Sequence, residues 1–568
     1  MEMRMTGVVT AADQPWLAAY PPGVPHNIQA DAYPSLLALM EASFQSHASR
    51  TAYHFLGKDI SFQAVDEQSL ALAAWLQHQG LVKGDRVAVM MPNVPQYPVA
   101  VAAILRAGLV VVNVNPLYTA RELEHQLTDA GAKAIIIIEN FAATLAQCLP
   151  RTPVKHVVLC AMGDMLGWFK GAIVNHVVRK VKKLVPPFEL PQAERFADAL
   201  KSGHQRTFQR VAVGPDDMAV LQYTGGTTGV SKGAVLLHRH VVANVLQSEA
   251  WNEPVMKQIA PSEQPTAVCA LPLYHIFAFT VNMMLGLRQG GKNILIPNPR
   301  DLPAVIQELK RHTFHSFPAV NTLFNALLNH PDFDQVNWRK LKVSVGGGMA
   351  VQRAVAERWL ARTGCPICEG YGLSETSPSA SCNPVTATTF SGSIGVPLPG
   401  TRMQCVDDEG KEVPVGQPGE IAIKGPQVMA GYWQRPDETA KVMTADGWLL
   451  SGDIGIMDEH GYFRIVDRRK DMILVSGFNV YPNEVEDVLA GMPGVLECAA
   501  VGMADAHSGE AVKLFVVRKD PAITEQDVRD YCRERLTGYK LPKVIEFRTE
   551  LPKTPVGKIL RRELRDKA

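Results

Sequence analysis

Between Thr224 and Gly233 the chain reads TGGTTGVSKG, placing four glycines, three threonines, Ser231 and Lys232 directly behind the apolar run MAVLQY. Glycines let backbone N–H groups close around phosphate oxygens, hydroxyls add donors, and a lysine adds positive charge. A flexible linker has similar composition, but it would not follow an apolar strand so directly or carry the lysine. The order also excludes a Walker loop, which needs Gly-Lys-Ser/Thr; here Lys232 stands between Ser231 and Gly233.

Further residues carry chemistry only in combination. Lys558 in PVGKIL sits near Arg561, Arg562 and Arg565, as a solvated charge would. Glu375 in GLSET is equally a helix-start charge or a hard oxygen ligand for a cation. Asp453 and Arg468 fit a structural salt bridge, or a carboxylate and guanidinium on sugar hydroxyls. Gly346, Gly347 and Gly348 permit close backbone approach to a flat ligand, or simply turn a strand into a helix. His275 in PLYHIF suits both a buried structural histidine and a pocket wall.

The elements that must position these residues alternate early in the chain. SLALAAWLQHQG (69–80) has helical apolar spacing, and GDRVAVMMPN (84–93) reads as a buried strand. AGLVVVNVNP (107–116) and AKAIIIIEN (132–140) add strands around the helical 120–131. Repeated βα units predict doubly wound α/β layers. Short Gly- and Pro-punctuated runs from 402 to 466 predict a β-rich subdomain, and 467–568 has strands and helices enough for a small α+β domain. The boundary falls at Asp467–Lys470, leaving 1–466 as the large N-terminal domain.

Composition narrows the class. At 568 residues with 46% apolar and 20% charged, the chain is globular and multidomain. Lys plus Arg is 57 against 56 Asp plus Glu, so there is no nucleic-acid signature. Nine cysteines show no framework, and the lone Cys365–Cys368 pair lacks metal-ligand company, which fits a reducing cytosol. No secretory leader or membrane span is expected, since 98–116 is interrupted by Arg106 and Gly108.

Seven motifs, in order, resemble those of adenylate-forming enzymes, the superfamily of acyl-CoA synthetases, luciferases and adenylation domains. They are YTGGTTGVSKGA, LPLYHIFA (271–278), VGGGMAV (345–351), EGYGLSETSP (369–378), LLSGDIG (449–455), VDRRKDMILVSGFNVYPNEVE (466–486) and LPKTPVGKILRREL (551–564). The wording is most similar to bacterial long-chain fatty-acid:CoA ligases. The resemblance implies ATP, Mg²⁺ and coenzyme A, with fatty acid as the acyl donor. It implies nucleotide contacts from Tyr223, Thr224, Gly225, Gly226, Thr227, Thr228, Gly229, Ser231, Lys232 and Gly233. The adenine side would be formed by Gly346, Gly347, Gly348, Gly370, Tyr371 and Gly372, with Tyr371 stacked on the purine and Thr376 on phosphate. Asp453 and Arg468 would take the ribose, Glu375 the Mg²⁺, and Lys558 would bridge the carboxylate and α-phosphate. Lys558, Glu375, Thr224 and His275 are the implied catalytic group. Lys470 falls at the family's hinge and Ser476, Gly477, Phe478 and Asn479 on its thioesterification loop.

Medium-chain and aryl acids, and loading of a carrier protein, remain alternatives, and a homodimer stays open. The Phe-rich 311–328 fits an acyl pocket less well than plain core. In GDMLGWFKGAIVNHVVRKVKKLVPP (163–187), Leu166, Phe169, Ile173, Val177, Val181 and Leu184 share a helical stripe opposite Asn175, Arg179, Lys182 and Lys183. Such a helix either packs on the domain or lies on anionic lipid. The second case would place a cytoplasmic protein on the inner face of the membrane.

Overall fold

The computed structural model describes residues 14–224, 231–468, 471–476, 478–505, 507–554 and 557–565, with only the backbone for Arg468 and Asn479. Two large sheets carry the N-terminal part. One runs in the order Ala193–Arg195, His156–Cys160, Ala132–Ile138, Arg86–Met90, Val110–Asn113, Met218–Thr224 and Lys232–Leu237. Its strands are parallel up to the last pair, which forms an antiparallel hairpin. The buried run Ala134–Ile138 shows why: a strand covered on both faces reads as continuous Ile and Val.

The second sheet has a parallel centre of Ile367–Gly372, Val343–Gly346, Ser316–Ala319, Thr266–Cys269, Lys292–Leu295 and Thr51–Phe55, with antiparallel strands at both edges. All eleven residues of the helix Gln96–Arg106 are buried, and one apolar cluster joins it to strands of both sheets. A helix apolar on every side belongs inside such a stack. Local signals set the ends: Thr119 and Glu122 form a capping box, and Gly131 closes the helix Ala120–Ala130 in the left-handed conformation.

Arg402–Val406, Gly419–Lys424, Leu449–Met457 and Phe463–Arg468 make the four-stranded antiparallel sheet of the β-rich segment. The C-terminal sheet contains Phe478–Val480, Ile473–Val475, Gly509–Arg518, Val495–Asp505 and Val544–Arg548. Among the described residues, the apolar clusters before and after the 467–472 segment do not merge: one ends at Phe463, the next begins at Ile473.

The strands Met218–Thr224 and Lys232–Leu237 pair on either side of the phosphate-type segment, and the helix His238–Met256 follows directly, where the sequence turns helix-like. Of the amphipathic segment's apolar stripe Leu166 is buried, whereas Phe169, Ile173, Val181 and Leu184 are exposed, with Trp168 beside them exposed by 87%. Part of its polar side faces the protein: Asn175 Oδ1 accepts from Gly163 N at 2.7 Å, and Arg179 pairs with buried Glu139 at 2.7 Å, while Lys182 and Lys183 are exposed. Close backing is possible because a Cβ at Gly171 would lie 2.4 Å from the Gly163 carbonyl oxygen.

The Phe-rich 311–328 segment is core. Phe314, Phe317 and Phe324 are fully buried and meet Trp338 and Trp359 at ring separations of 4.7–6.4 Å, edge-on or tilted except for Phe317 stacked on Trp338. Cys365 and Cys368 are buried free thiols.

Candidate active site

Both large sheets, the small antiparallel sheet and the C-terminal unit open into one cleft of about 2210 Å³. Thr224 and Lys232, Gly346–Gly348, Gly370–Glu375, Asp453 and Lys558 all line it. The second sheet contributes the C-terminal ends of its parallel strands Val343–Gly346 and Ile367–Gly372, where α/β sheets usually bind ligands. Residues hundreds of positions apart thus converge.

Hairpin register puts Thr224 opposite Lys232 and Tyr223 opposite Gly233, so both arms of the loop enter the cleft together. Tyr223 turns its hydroxyl to Asp129 at 2.6 Å, and Arg435 holds the other oxygen of Asp129 at 2.6 Å. Lys232 lies over the Tyr432 ring at 5.4 Å and pairs with Glu438. Burial, and then neighbouring Lys441, lower its pKa.

Glu375 is buried and accepts from the Tyr432 hydroxyl at 2.6 Å. Its backbone carbonyl accepts from Met429 N at 2.8 Å, which fixes the GLSET turn. Thr376 behaves differently from the sequence expectation. It is fully buried, does not line the cleft, and its hydroxyl bonds the carbonyls of Leu373 and Pro378 within its own turn.

Tyr371 donates its hydroxyl to Asp453 Oδ2 at 2.7 Å, joining the two nucleotide-side positions directly. The glycines have packing reasons as well. A Cβ at Gly346 would meet Val351 at 2.5 Å, one at Gly347 would meet Phe277 at 2.9 Å, and one at Gly372 the Pro378 carbonyl at 1.8 Å. Gly348 has φ +77°, a left-handed conformation that side chains resist.

His275 caps the short helix Ile276–Ala278 by accepting from Phe277 N at 3.3 Å, and it faces the cleft. Burial, reinforced by the nearby Lys558 ammonium, lowers its pKa to about 4, so it is neutral at pH 7. Lys558 is thus near the PLYHIF wall. The preceding Gly557 accepts from Thr322 Oγ1 at 3.1 Å, and a Cβ there would lie 2.7 Å from that oxygen.

Other expected residues are not gathered. Backbone register sets Arg468 opposite Asp453, but its side chain lies outside the described residues, as do Gly225, Gly226, Thr227, Thr228, Gly229, Lys470 and Gly477. Ser476 and Phe478 do not line the cleft; Phe478 is exposed and stacks on Tyr539 at 4.8 Å. Sequence reasoning overlooked Tyr432, Glu438 and Glu369. The aromatic pair Tyr432–Trp433 after a glycine was the available signal for the first. Glu369 lines the cleft with Oε1 accepting from Val351 N at 3.2 Å and Oε2 buried without a partner among the described residues. Burial raises its pKa to about 8.

The convergence of the 224–232 hairpin arms, Glu375, Asp453 and Lys558 on one cleft matches the site expected of an adenylate-forming fold. The chain belongs to the AMP-binding enzyme family: that family's model matches residues 40–433, and the AMP-binding enzyme C-terminal domain matches 484–558. It is 55% identical to a long-chain-fatty-acid–CoA ligase of Escherichia coli O6:H1, over 97% of this chain and 98% of that one. A ligase of the same name from Bacillus subtilis is 38% identical over 97% and 98%, and a feruloyl-CoA synthase of Amycolatopsis sp 34% over 92% and 96%. Among solved structures, ATP-bound MatB from Rhodopseudomonas palustris superposes with TM-score 0.79 at 28% identity, covering 93% of this chain and 98% of that one.

Proposed function

We infer that this chain is an AMP-forming long-chain fatty-acid–CoA ligase. The observation that carries this is the convergence of Lys558, Asp453, Glu375 and the 224–232 hairpin on one cleft, in a chain similar over nearly its whole length to ligases of that name. A carboxylate is a poor acyl donor because its leaving group would be oxide. In the first step a carboxylate oxygen bonds to the α-phosphorus of ATP and the α–β anhydride bond breaks, releasing diphosphate. In the second, the CoA thiolate attacks the acyl carbon and the bond to AMP breaks.

The obstacle to the first step is an anion approaching a polyanion. Lys558 is placed to lie between the carboxylate and α-phosphate, where its charge is worth most in the transition state. Neutral His275 can line the acid pocket without adding charge. Asp453, held by Tyr371, is placed to accept from the ribose hydroxyls, with Arg468 as partner. The buried carboxylate of Glu375 fits Mg²⁺, which usually takes one or two carboxylates beside phosphate oxygens; when bound, that ion offsets phosphate charge. Lys232 would exchange Glu438 for phosphate.

For the second step, residues 467–568 form a unit that turns about Lys470. The turn withdraws Lys558 and brings Ser476–Asn479 to the cleft as a wall for CoA. Separate apolar clusters on either side of the boundary support this reading.

Diphosphate release measured across acid lengths, with and without CoA, tests the assignment. Turnover highest on long-chain acids, with thioester formed only when CoA is present, is expected. Preference for benzoates or cinnamates would favour the aryl alternative, and acyl-AMP accumulation despite CoA would favour carrier-protein loading.

The exposed stripe of 168–184 extends the proposal to location: a cytoplasmic enzyme resting on the inner face of an anionic membrane. No described helix is long and apolar enough to span one. Lys180, Lys182 and Lys183 are exposed beside the stripe, each worth about 1 kcal/mol near such a surface. Arg179 is committed to Glu139. Changing those three lysines to Gln should weaken sedimentation with anionic vesicles, and unchanged binding would refute lipid contact. Sedimentation without lipid reads whether the chain forms a homodimer.

A further inference from the structure

Away from the cleft, three side chains aim their donor atoms at one point. His54 lies on the strand Thr51–Phe55, while Glu308 and His312 are four residues apart at the end of the helix Leu302–Lys310. Their ligand atoms all lie within 4.8 Å of one another. His54 Nε2 is 3.2 Å and His312 Nε2 3.1 Å from the same oxygen, Glu308 Oε1, with ring centroids 4.2 Å apart. None of the three lines the cleft. Each side chain is 12–14% exposed, shielded yet reachable.

A second contact fixes what the cluster presents. His54 and Asp59 are directly paired across a hairpin, and Asp59 Oδ1 lies 2.5 Å from His54 Nδ1. A carboxylate on Nδ1 holds the proton there and leaves Nε2 as a bare lone pair, the arrangement by which proteins orient metal-binding histidines. That Nε2 and the Nε2 of His312 converge on the same carboxylate oxygen, an arrangement completed either by a proton on each imidazole or by one cation shared among the three donors. Arg311 reaches only the outer oxygen, Glu308 Oε2, at 3.3 Å.

We propose that His54, Glu308 and His312 form a binding site for a borderline divalent cation of the zinc class, with Asp59 as the residue that orients His54. Two imidazole nitrogens and one carboxylate oxygen are a donor set for such an ion, with room for water as a fourth ligand. Bond lengths of about 2.0–2.2 Å require the donors to draw together by side-chain rotation, which the hairpin and the helix end allow without disturbing the sheet. Occupied, the site would tie the edge hairpin 51–61 to the helix Leu302–Lys310.

The test uses the full, untagged chain after chelator treatment. Zinc chloride alone is titrated by calorimetry, and cobalt chloride is added in parallel to read visible absorption. One equivalent of tight binding, a raised melting temperature and d–d bands in the cobalt sample are expected. His54→Gln with His312→Gln should abolish all three, and Asp59→Asn should weaken zinc by about 10–100-fold. Both variants' melting temperatures without metal report folding independently. The proposal is overturned if the wild type binds no zinc, or if the folded double variant binds it equally well. It is also overturned if the double variant fails to fold and Asp59→Asn leaves affinity unchanged.

Discussion

The two walls of the cleft handle charge in opposite ways. On the N-terminal side, two buried groups are neutralised by burial: the pKa of His275 is lowered to about 4 and that of Glu369 raised to about 8, so both are uncharged at pH 7. On the C-terminal side, groups stay charged by pairing. Arg561 lies 2.7 Å from Glu486 and 3.7 Å from both Asp467 and Asp471, and Arg565 lies 2.8 Å from Asp471. Lys553 similarly pairs with Glu497 at 2.6 Å. The attachments differ too. Both large sheets join through one apolar cluster, whereas the described hydrogen bonds from the C-terminal unit to the body are a few polar ones. Thr322 to Gly557, Asn325 to Leu496 and Lys519 to Asn329 are among them, at 2.9–3.1 Å. A body joined by apolar packing, faced by a unit docked through a few polar bonds, is the arrangement the proposed two-step reaction calls for, since it needs the lysine in only one step.

The strongest way to break this comparison is Lys558→Ala. Acyl-AMP formation should fall by about 10²–10³-fold, the usual loss for one transition-state donor. Thioester formation from supplied acyl-AMP and CoA should change little. Equal loss in both assays would mean the lysine is structural.

Arg561→Ala attacks the arm itself. Removing one partner from a largely buried ion cluster costs about 3 kcal/mol. The loss should appear as earlier melting and proteolysis of residues after 472, with the N-terminal transition kept. A single, uniformly lowered transition would contradict the separateness of the two units.

Glu375→Gln keeps shape and the bond from Tyr432 while removing a charge from the N-terminal wall. About a tenfold loss of adenylation, partly restored by raised Mg²⁺, follows if the carboxylate helps hold the ion. Turnover equal to wild type at ordinary Mg²⁺ would remove Glu375 from that role.

Glu369→Gln sharpens the contrast through its pH dependence. Its folded pKa is raised, so its contribution is fully present below the unfolded value of 4.5 and is lost as pH rises toward about 8. The loss runs at no more than about 1.4 kcal/mol per pH unit. Gln cannot ionise, so the variant should melt higher than the parent at pH 8.5, and the gap should close toward pH 5. A constant gap would mean that Glu369 is already charged in the folded protein.

Much of this protein was written locally. Periodicity alone gave the alternation of helix and strand between 69 and 140, because burial on two faces leaves runs such as Ala134–Ile138 uninterrupted by polar residues. The order Ser231-Lys232-Gly233 excluded a Walker loop before any coordinates, since that distinction lies in adjacent residues. What needed the third dimension were pairings between distant positions. Tyr432 on Glu375, Glu438 on Lys232 and Tyr371 on Asp453 span 57, 206 and 82 residues, and no local pattern encodes them. Register also decided that Lys232–Leu237 is a strand, through its antiparallel pairing with Met218–Thr224. The same holds for 163–187. Its sequence fixes a stripe of Phe169, Ile173, Val181 and Leu184, but a stripe has no direction by itself; contacts of Gly163 and Gly171, and of Arg179 with Glu139, turn that stripe outward.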